Sequence, residues 1–292
     1  MKKPLFSGAC VALVTPFDDN GIDFEKLEEL IEYQIKNNIA AILVCGTTGE
    51  AAAMTDEEKK AVLKFAAEKI AGRVKILAGT GSNNKLKSVG MSQYAQSLGY
   101  DGLLLVTPYY NKTTQKGLCL HYAEIAKSVS IPIILYNVPS RTNVSISIDT
   151  LLYLDKNFKN IVGIKEASGD LSYAARIAAE TDIVLYSGND DHTLSYLALG
   201  GQGVISVAAN IFPSEMHSMC KLFSEGDLSG ARALCFDMLE VMRAMFYEVN
   251  PIPVKTALNL LGFNVGALRL PLCEMGDENK KRLEKALNNF KK

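Results

Sequence analysis

In this sequence of 292 residues, Lys165 is the residue best suited to take part in a chemical reaction. It ends the apolar run IVGIK, which is typical of a buried strand. Because desolvating an ammonium is costly, a lysine is rarely buried without a purpose. Burial favours the free amine, and a free amine in a dry pocket can form a Schiff base with a carbonyl substrate. The alternative is an ion pair between Lys165 and Glu166, or between Lys165 and a carboxylate on another strand.

Hydroxyl groups and one arginine follow other apolar runs. Tyr136 ends a run whose parity allows the phenol to point inward, where it can pass a proton or simply pack. Thr47 and Thr48 in the segment GTTG can bind a carboxylate through hydroxyls and backbone amides, although an isolated GTTG is more often a simple turn. Arg141 can hold a second carboxylate in bidentate fashion, whereas a lone loop arginine is more often a surface charge.

A metal-dependent reaction is the less favoured alternative. The sequence has only three histidines, which lie far apart at positions 121, 192 and 217. Asp190, Asp191 and His192 form a local set that invites a metal, but Asp190 also suits a helix N-cap. Paired carboxylates at glycosidase spacing and a Ser-His-Asp set do not follow the runs. We therefore expect no metal and no cofactor.

Eight short apolar runs separated by helix-like segments predict the fold. Each run is rich in β-branched residues or leucine and nearly continuous, as expected for a strand buried on both faces of a parallel sheet. Eight strand-then-helix units are what a closed (β/α)8 TIM barrel requires, and function then lies at the carboxyl ends of the strands. A doubly wound open sheet is the alternative, but no GxGxxG turn follows the first strand. The predicted strands are 10–14, 40–45, 75–78, 102–106, 131–136, 161–164, 183–186 and 203–207.

Helix signals support this division and indicate a second region. Thr55 and Glu58 form a capping box that opens a helix to Ala71, and Pro213 suits the first turn of the eighth barrel helix. The predicted catalytic barrel covers residues 1–225. Residues 226–292 carry only helical patterns and are interpreted as a small, all-helical C-terminal appendage. Its predicted helices are 227–249, 253–261 and 277–290.

Composition argues against several classes of function. The 31 Lys and Arg residues and 32 Asp and Glu residues give a net charge of −1. Nucleic acid and anionic membranes both favour a basic excess, so neither is expected as a partner. No apolar run reaches the about 18 residues of a transmembrane helix. The six cysteines form no CxxC pair, and four lie in predicted core strands or apolar helix faces, which is typical of reduced thiols in a cytoplasmic protein.

Six strings, taken together and in order, resemble the dihydrodipicolinate synthase family of pyruvate-dependent Schiff-base lyases. The strings form a highly specific set, and the resemblance runs from about residue 8 to the carboxyl terminus. Arg141, which follows YNVPS, matches the synthase branch of this wider group, where it holds the carboxylate of the aldehyde substrate. The strings are GTTGE (46–50), VTPYYN (106–111), LYNVPSRT (135–142), GIKEASGDL (163–171), GVISV (203–207) and NPIPVK (250–255).

The resemblance implies a reaction and a role for each matching residue. Lys165 forms a Schiff base with pyruvate, and the enamine attacks L-aspartate 4-semialdehyde to give 4-hydroxy-tetrahydrodipicolinate for lysine and diaminopimelate biosynthesis. Thr48, Tyr136 and Tyr110 form a proton relay, with Tyr110 reaching in from a neighbouring subunit. The implied assembly is a homo-oligomer, with a dimer of dimers favoured. The implied substrate-binding residues are Thr47 and Thr48 for the pyruvate carboxylate, Arg141 for the aldehyde, and Gly188 and Ile205 along the pyruvate pocket.

Two other functions remain open at this point. The first is an N-acetylneuraminate lyase or a 2-keto-3-deoxy sugar-acid aldolase of the same fold, against which Arg141 argues. The second is a barrel that has lost catalysis and serves as a binding protein. That protein would show a broken set of site residues, whereas the lysine, threonines, tyrosines and arginine are all present.

The sequence departs from the pattern of family members that L-lysine inhibits at a dimer cleft. Asn83 and Tyr109 are kept. Lys87 stands where a carboxylate would meet the ammonium of the effector, and two like charges repel. We expect L-lysine to inhibit this protein weakly or not at all. The matching positions are Ala51, Ala52, Asp56, Lys59, Asn83, Lys87 and Tyr109.

Overall fold

All eight predicted strands are present, each with bounds within two residues of the prediction. The structure is a computed structural model that describes residues 2–290. Two further strands form an antiparallel hairpin, and at two residues each they are too short for hydrophobic periodicity to reveal. The strands are β1 (Gly8–Ala12), β2 (Phe17–Asp18), β3 (Gly21–Ile22), β4 (Ala41–Val44), β5 (Lys75–Gly79), β6 (Gly102–Val106), β7 (Ile133–Asn137), β8 (Ile161–Glu166), β9 (Val184–Ser187) and β10 (Gly203–Ser206).

The eight long strands close into a parallel barrel, which confirms the predicted (β/α)8 fold. Their order around the barrel is β1, β10, β9, β8, β7, β6, β5 and β4, with β4 pairing again with β1. Because all eight run in the same direction, their carboxyl ends meet at one end of the barrel. The hairpin of β2 and β3 follows β1 and lies outside the barrel sheet.

Helices follow the barrel strands and continue into the C-terminal region. The predicted capping box is confirmed, because Thr55 accepts from the Glu58 amide and Glu58 accepts from the Thr55 amide. Pro213 lies in the first turn of its helix, as predicted. The helices are α1 (Phe24–Lys36), α2 (Asp56–Ile70), α3 (Lys85–Ser97), α4 (Gln115–Ser128), α5 (Pro139–Thr142), α6 (Ile148–Asn157), α7 (Leu171–Glu180), α8 (Thr193–Ala198), α9 (Pro213–Ser224), α10 (Leu228–Ala244), α11 (Ile252–Leu260) and α12 (Asp277–Phe290).

The inside of the barrel is an apolar core of its own. Small and large side chains from alternate strand positions fill it, as the closed geometry of this fold requires. At the amino end, the ring of Phe6 stacks on Tyr186 at 4.4 Å between centroids, and the Tyr186 hydroxyl donates to the Phe6 carbonyl at 2.9 Å. This contact closes the amino end, so the open space lies towards the carboxyl ends of the strands.

Three helices, α10 to α12, follow the barrel and are tied to it by a buried ion pair. Lys255 on α11 lies with its Nζ atom 2.8 Å from Oε1 of Glu50, and both side chains are inaccessible to solvent. Glu50 belongs to the loop between β4 and α2 that contains Thr47 and Thr48. The C-terminal helices therefore contact the loop that contains the predicted site residues Thr47 and Thr48. The domain boundary at residue 225 stays a prediction.

Two expectations about the class of protein have counterparts in the structure. None of the helices within residues 2–290 combines the length and apolar character needed to cross a membrane. Each cysteine is a free thiol, and four are buried, as predicted; Cys119 is half-buried and Cys273 is exposed. The four buried thiols are Cys10, Cys45, Cys220 and Cys235.

Candidate active site

Lys165 lies inside the barrel near the carboxyl end of β8, with only 5% of its surface exposed. In the parallel register it stands beside Tyr136 of β7 and Tyr186 of β9. It lines a cavity of about 190 Å³ at this end of the barrel. That volume is below the about 300–1,000 Å³ of pockets for drug-sized ligands, so it suits a ligand of a few heavy atoms.

Strand alternation explains why Lys165 points inward and Glu166 does not. Successive residues of a strand point to opposite faces, so Gly163 and Lys165 share the interior. A Cβ atom at Gly163 would lie 3.2 Å from the Tyr186 ring, so glycine leaves room for that ring beside the lysine. On the outer face, Glu166 accepts hydrogen bonds from the Asn137 side chain at 2.6 Å and from the Ser168 amide. The alternative of an ion pair between Lys165 and Glu166 is therefore wrong.

The Lys165 amine lies close to one aromatic ring and influences two buried acidic groups. Its Nζ atom lies 4.5 Å from the centre of the Tyr136 ring, a distance at which a cation is attracted to the ring face. Burial raises the pKa of the Cys10 thiol and of the Asp190 carboxyl, and the charge of Lys165 offsets part of that effect for each. The amine thus lies in a dry region beside a phenol, as the sequence predicted for Tyr136.

The loop between β4 and α2 brings two threonines to the cavity. Thr47 and Thr48 both line it, and Thr48 is only 2% exposed. The loop is packed closely, because a Cβ atom on Gly49 would lie 3.0 Å from the Leu13 carbonyl oxygen. The hydroxyl of Thr15 donates a hydrogen bond to the Gly49 carbonyl oxygen at 2.7 Å. The GTTG segment is therefore a closely packed turn that lines the same cavity as Lys165.

Arg141 and Gly188 complete the predicted residues that line the cavity. Arg141 lies on the single turn α5, which follows the strand that carries Tyr136, and its Nη2 atom donates to the Asn250 carbonyl at 3.0 Å. A Cβ atom at Gly188 would lie 2.6 Å from the Ala167 side chain, so this position has no room for a larger residue. The guanidinium is exposed at the cavity mouth, where it can meet an anion.

Asn250 lines the same cavity and is the residue that sequence reasoning missed. Its Nδ2 atom donates to the Thr48 hydroxyl at 3.0 Å, in addition to the carbonyl contact with Arg141. Asn250 is the first residue of the string NPIPVK, which precedes and opens α11. The resemblance implied no role for it. No local pattern reveals its position, because it reaches the site from the C-terminal helices.

Two predicted site residues lie outside this cavity in the single chain. Ile205 on β10 is fully buried in the barrel interior and pairs with Cys10 in the register. Tyr110 is 93% exposed and has a φ of 66°, a left-handed conformation that is uncommon for a tyrosine. Tyr110 lies on the loop after β6 and does not line the cavity that contains Lys165.

Asp190 does not cap the helix that follows it, so that expectation is wrong. It is the first residue of a short 3₁₀ turn, and its Oδ2 atom accepts from the amides of Val207 at 3.1 Å and Ala208 at 2.9 Å. The carboxylate therefore stabilises the turn after β10. Within residues 2–290, no group of three or more His, Cys, Asp or Glu side chains is placed to hold a metal ion.

A second cavity, of about 750 Å³, opens beside the first. The residues that line both cavities are Thr47, Leu104, Tyr136, Val138 and Arg141. All seven positions matched to the L-lysine cleft line this larger cavity. Asp56 lies 3.4 Å from Lys59 Nζ and 3.7 Å from Lys87 Nζ. Burial alone would raise the pKa of Asp56, but these two lysines lower it below its usual range.

The fold and the site together define a class of protein. It is a (β/α)8 barrel with a buried lysine amine at the carboxyl end of its sixth barrel strand, facing a small cavity with hydroxyl groups and an arginine. The chain belongs to the dihydrodipicolinate synthetase family, whose sequence profile matches residues 5–290.

Individual relatives agree with this assignment. The chain is 54% identical over 289 residues to a 4-hydroxy-tetrahydrodipicolinate synthase of Thermoanaerobacter sp. (strain X514), covering 98% of this chain and 97% of that protein. The dihydrodipicolinate synthase of Aquifex aeolicus has a similar structure, with a TM-score of 0.96, 43% identity and 98% of each chain covered. The enzyme of Cyanidioschyzon merolae, solved with lysine bound, superposes with a TM-score of 0.96 at 37% identity over 99% of each chain.

Proposed function

We propose that this chain condenses pyruvate with L-aspartate 4-semialdehyde to give 4-hydroxy-tetrahydrodipicolinate, the precursor used in lysine and diaminopimelate biosynthesis. The observation that carries the proposal is the buried Lys165 amine in a cavity that it shares with Thr48, Tyr136 and Arg141. The names of relatives about half identical to the chain over its whole length support it. We place the reaction in the cytoplasm.

Lys165 activates pyruvate by forming an imine with it. Its amine adds to the keto carbon of pyruvate, and water leaves to form a cationic imine. Removing a proton from the adjacent methyl group is much easier for this cation than for the ketone, because the iminium nitrogen accepts the electron pair. The product is an enamine bound to Lys165. Thr47 and Thr48 bind the pyruvate carboxylate, and Gly188 and Ile205 shape the pocket.

The second half of the reaction forms a carbon–carbon bond. The methyl-derived carbon of the enamine attacks the aldehyde carbon, and the aldehyde oxygen takes up a proton. The amino group of the second substrate then displaces Lys165 from the imine carbon, closing the ring and restoring the amine. Tyr136 accepts and returns the protons, with Thr48 beside it. Arg141 pairs with the carboxylate of the semialdehyde, for which a guanidinium offers two parallel donors.

Tyr110 completes the relay in a second copy of the chain. The support is its 93% exposure, which leaves the phenol free to contact another molecule. The working assembly is therefore a homo-oligomer, and we favour a dimer of dimers. Tyr110→Phe lowers turnover by roughly 10²-fold, the scale of a positioned proton-transfer group, while the thermal unfolding midpoint stays unchanged. The exposed Tyr153, changed to Phe, serves as the matched control; wild-type turnover in Tyr110→Phe removes Tyr110 from the relay.

L-lysine inhibits this protein weakly or not at all, in contrast to relatives that bind it. In the larger cavity, Lys59 and Lys87 both lie close to Asp56, and the Lys87 ammonium repels the ammonium of an entering lysine. The test is a titration of L-lysine into the coupled assay. Half-inhibition below one millimolar, taken here as roughly the upper end of typical enzyme affinities, contradicts the proposal.

Two activity assays with different substrates decide the function. Purified protein is assayed with pyruvate and L-aspartate 4-semialdehyde, and separately with N-acetylneuraminate. We expect turnover in the first assay alone, and its loss in Lys165→Met, while the exposed Lys64→Met keeps wild-type turnover. Cleavage of N-acetylneuraminate without condensation of the semialdehyde overturns the proposal.

A further inference from the structure

Asn250 joins the C-terminal helices to the centre of the candidate site. It lies two residues before the start of α11, is 6% exposed, and lines the same cavity as Lys165 and Tyr136. Its side chain reaches Thr48, and its backbone carbonyl accepts from Arg141. Asn250 therefore contacts both the loop that contains Thr48 and the turn α5 that contains Arg141.

The hydrogen bond between Asn250 and Thr48 has a fixed direction. Nδ2 of an asparagine can only donate, so the Thr48 oxygen must accept at the observed 3.0 Å. The hydrogen of the Thr48 hydroxyl then has to point elsewhere. Among residues 2–290, Thr48 makes no second side-chain hydrogen bond that would take this hydrogen. Since Thr48 lines the cavity, its hydroxyl is left to donate into it.

The other end of the same amide is also informative. Oδ1 of Asn250 is buried and has no hydrogen-bond partner among the described residues. A buried carbonyl oxygen without a partner is costly, and such atoms in native proteins call for an explanation. Turning the amide over would pair this oxygen with Thr48 but would use up the threonine hydrogen. The arrangement in the structure instead keeps the hydrogen available at the cavity.

We propose that Asn250 is a positioning residue that makes Thr48 a hydrogen-bond donor towards the reacting atoms. This inference rests on the proposed function, in which Tyr136 takes a proton from the pyruvate methyl group. A Thr48 hydroxyl that donates into the cavity can hydrogen-bond to the Tyr136 oxygen as that oxygen accepts the proton, and a bond to the charged form favours it. If Thr48 pointed the other way, its lone pairs would face the oxygen and oppose the transfer.

Replacement by aspartate reverses the hydrogen bond with almost no change in size. An aspartate carboxylate only accepts, so in Asn250→Asp the threonine must donate to it and its hydrogen leaves the cavity. Asn250→Ala removes the bond and leaves the hydroxyl free to rotate. The measurement is the exchange of pyruvate methyl protons for deuterium, followed by NMR with pyruvate as the only substrate. Asn259→Asp, the same change on an exposed residue of α11, is the control.

The inference is tested by comparing how much proton exchange each of the two Asn250 variants loses. We expect exchange to fall at least about tenfold in Asn250→Asp, by less in Asn250→Ala, and not at all in the control, since a misdirected hydrogen bond at a charged atom costs about that factor. Trapping of pyruvate on Lys165 with borohydride must persist in Asn250→Asp. Wild-type exchange in Asn250→Asp, a larger loss in Asn250→Ala, or loss of trapping in Asn250→Asp overturns the positioning role. Failure of trapping in the wild type overturns the proposed function instead.

Discussion

The buried ion pair between Lys255 and Glu50 makes a quantitative prediction about stability. The Lys255 ammonium is 1% exposed and donates to Glu50 at 2.8 Å, to the Ala267 carbonyl at 2.7 Å and to the Thr15 carbonyl at 3.1 Å. All three of its hydrogens are therefore used. Lys255→Met leaves the Glu50 carboxylate buried without its counter-ion, with the Arg269 amide as its remaining hydrogen-bond donor.

The size of the effect follows from this burial. Removing one partner of a buried pair costs about 3–5 kcal/mol, because the remaining charge is uncompensated. For a chain of this size, that loss lowers the thermal unfolding midpoint by roughly 6 °C or more. An exposed pair is worth far less, so Lys64→Met, which removes a contact of 3.9 Å between Lys64 and Glu68, changes the free energy of unfolding by no more than about 0.5 kcal/mol.

Urea unfolding of the wild type and the variants checks this prediction at fixed protein concentration, since association can add to the apparent stability. The double variant Glu50→Gln with Lys255→Met recovers part of the loss, because neither charge remains buried. The resulting double-mutant cycle isolates the coupling between the two side chains. A cost below about 1 kcal/mol for Lys255→Met, or a coupling no larger than that of an exposed pair, refutes the reasoning.

Two further predictions concern thiol reactivity and acid stability. Burial raises the pKa of the Cys45 and Cys220 thiols to about 12, so we expect Ellman's reagent to react quickly with the exposed Cys273 and with these two only on unfolding. A fast phase that persists when both the half-buried Cys119 and the exposed Cys273 are replaced by serine contradicts this. Burial lowers the pKa of His121 and His217 below 6.5, so the unfolded chain binds more protons in acid, and the free energy of unfolding falls as pH drops below about 6.5. Chemical unfolding at several pH values checks it, and an unchanged pH dependence when both histidines are replaced by glutamine counts against it.

The barrel could be predicted because parallel strands covered on both faces leave a direct record in the sequence. Their nearly continuous apolar runs predicted all eight strands, and several residues at the ends of these runs line one cavity. Parity along β7 predicted that Tyr136 points inward, and the register pairs it with Lys165 of β8. The hairpin of β2 and β3 escaped because two residues show no periodicity.

The remaining features of the site depend on contacts between distant parts of the chain. Asn250 reaches Thr48 from the C-terminal helices, and no local spacing encodes that approach. Asp190 was expected to cap its own helix, but it stabilises the turn after β10 instead, because a buried carboxylate bonds to whichever amides the fold brings near. Tyr110 is exposed in the single chain, so its proposed role depends on a second copy and stays a prediction.

Reductive trapping shows whether the amine of Lys165 forms a Schiff base with pyruvate. The protein is incubated with pyruvate and borohydride, digested, and mapped by mass spectrometry. We expect a reduced pyruvyl group on Lys165 and none on Lys255, which is also buried but is paired with Glu50. If folded protein carries no pyruvyl group on Lys165, the lysine is not the nucleophile.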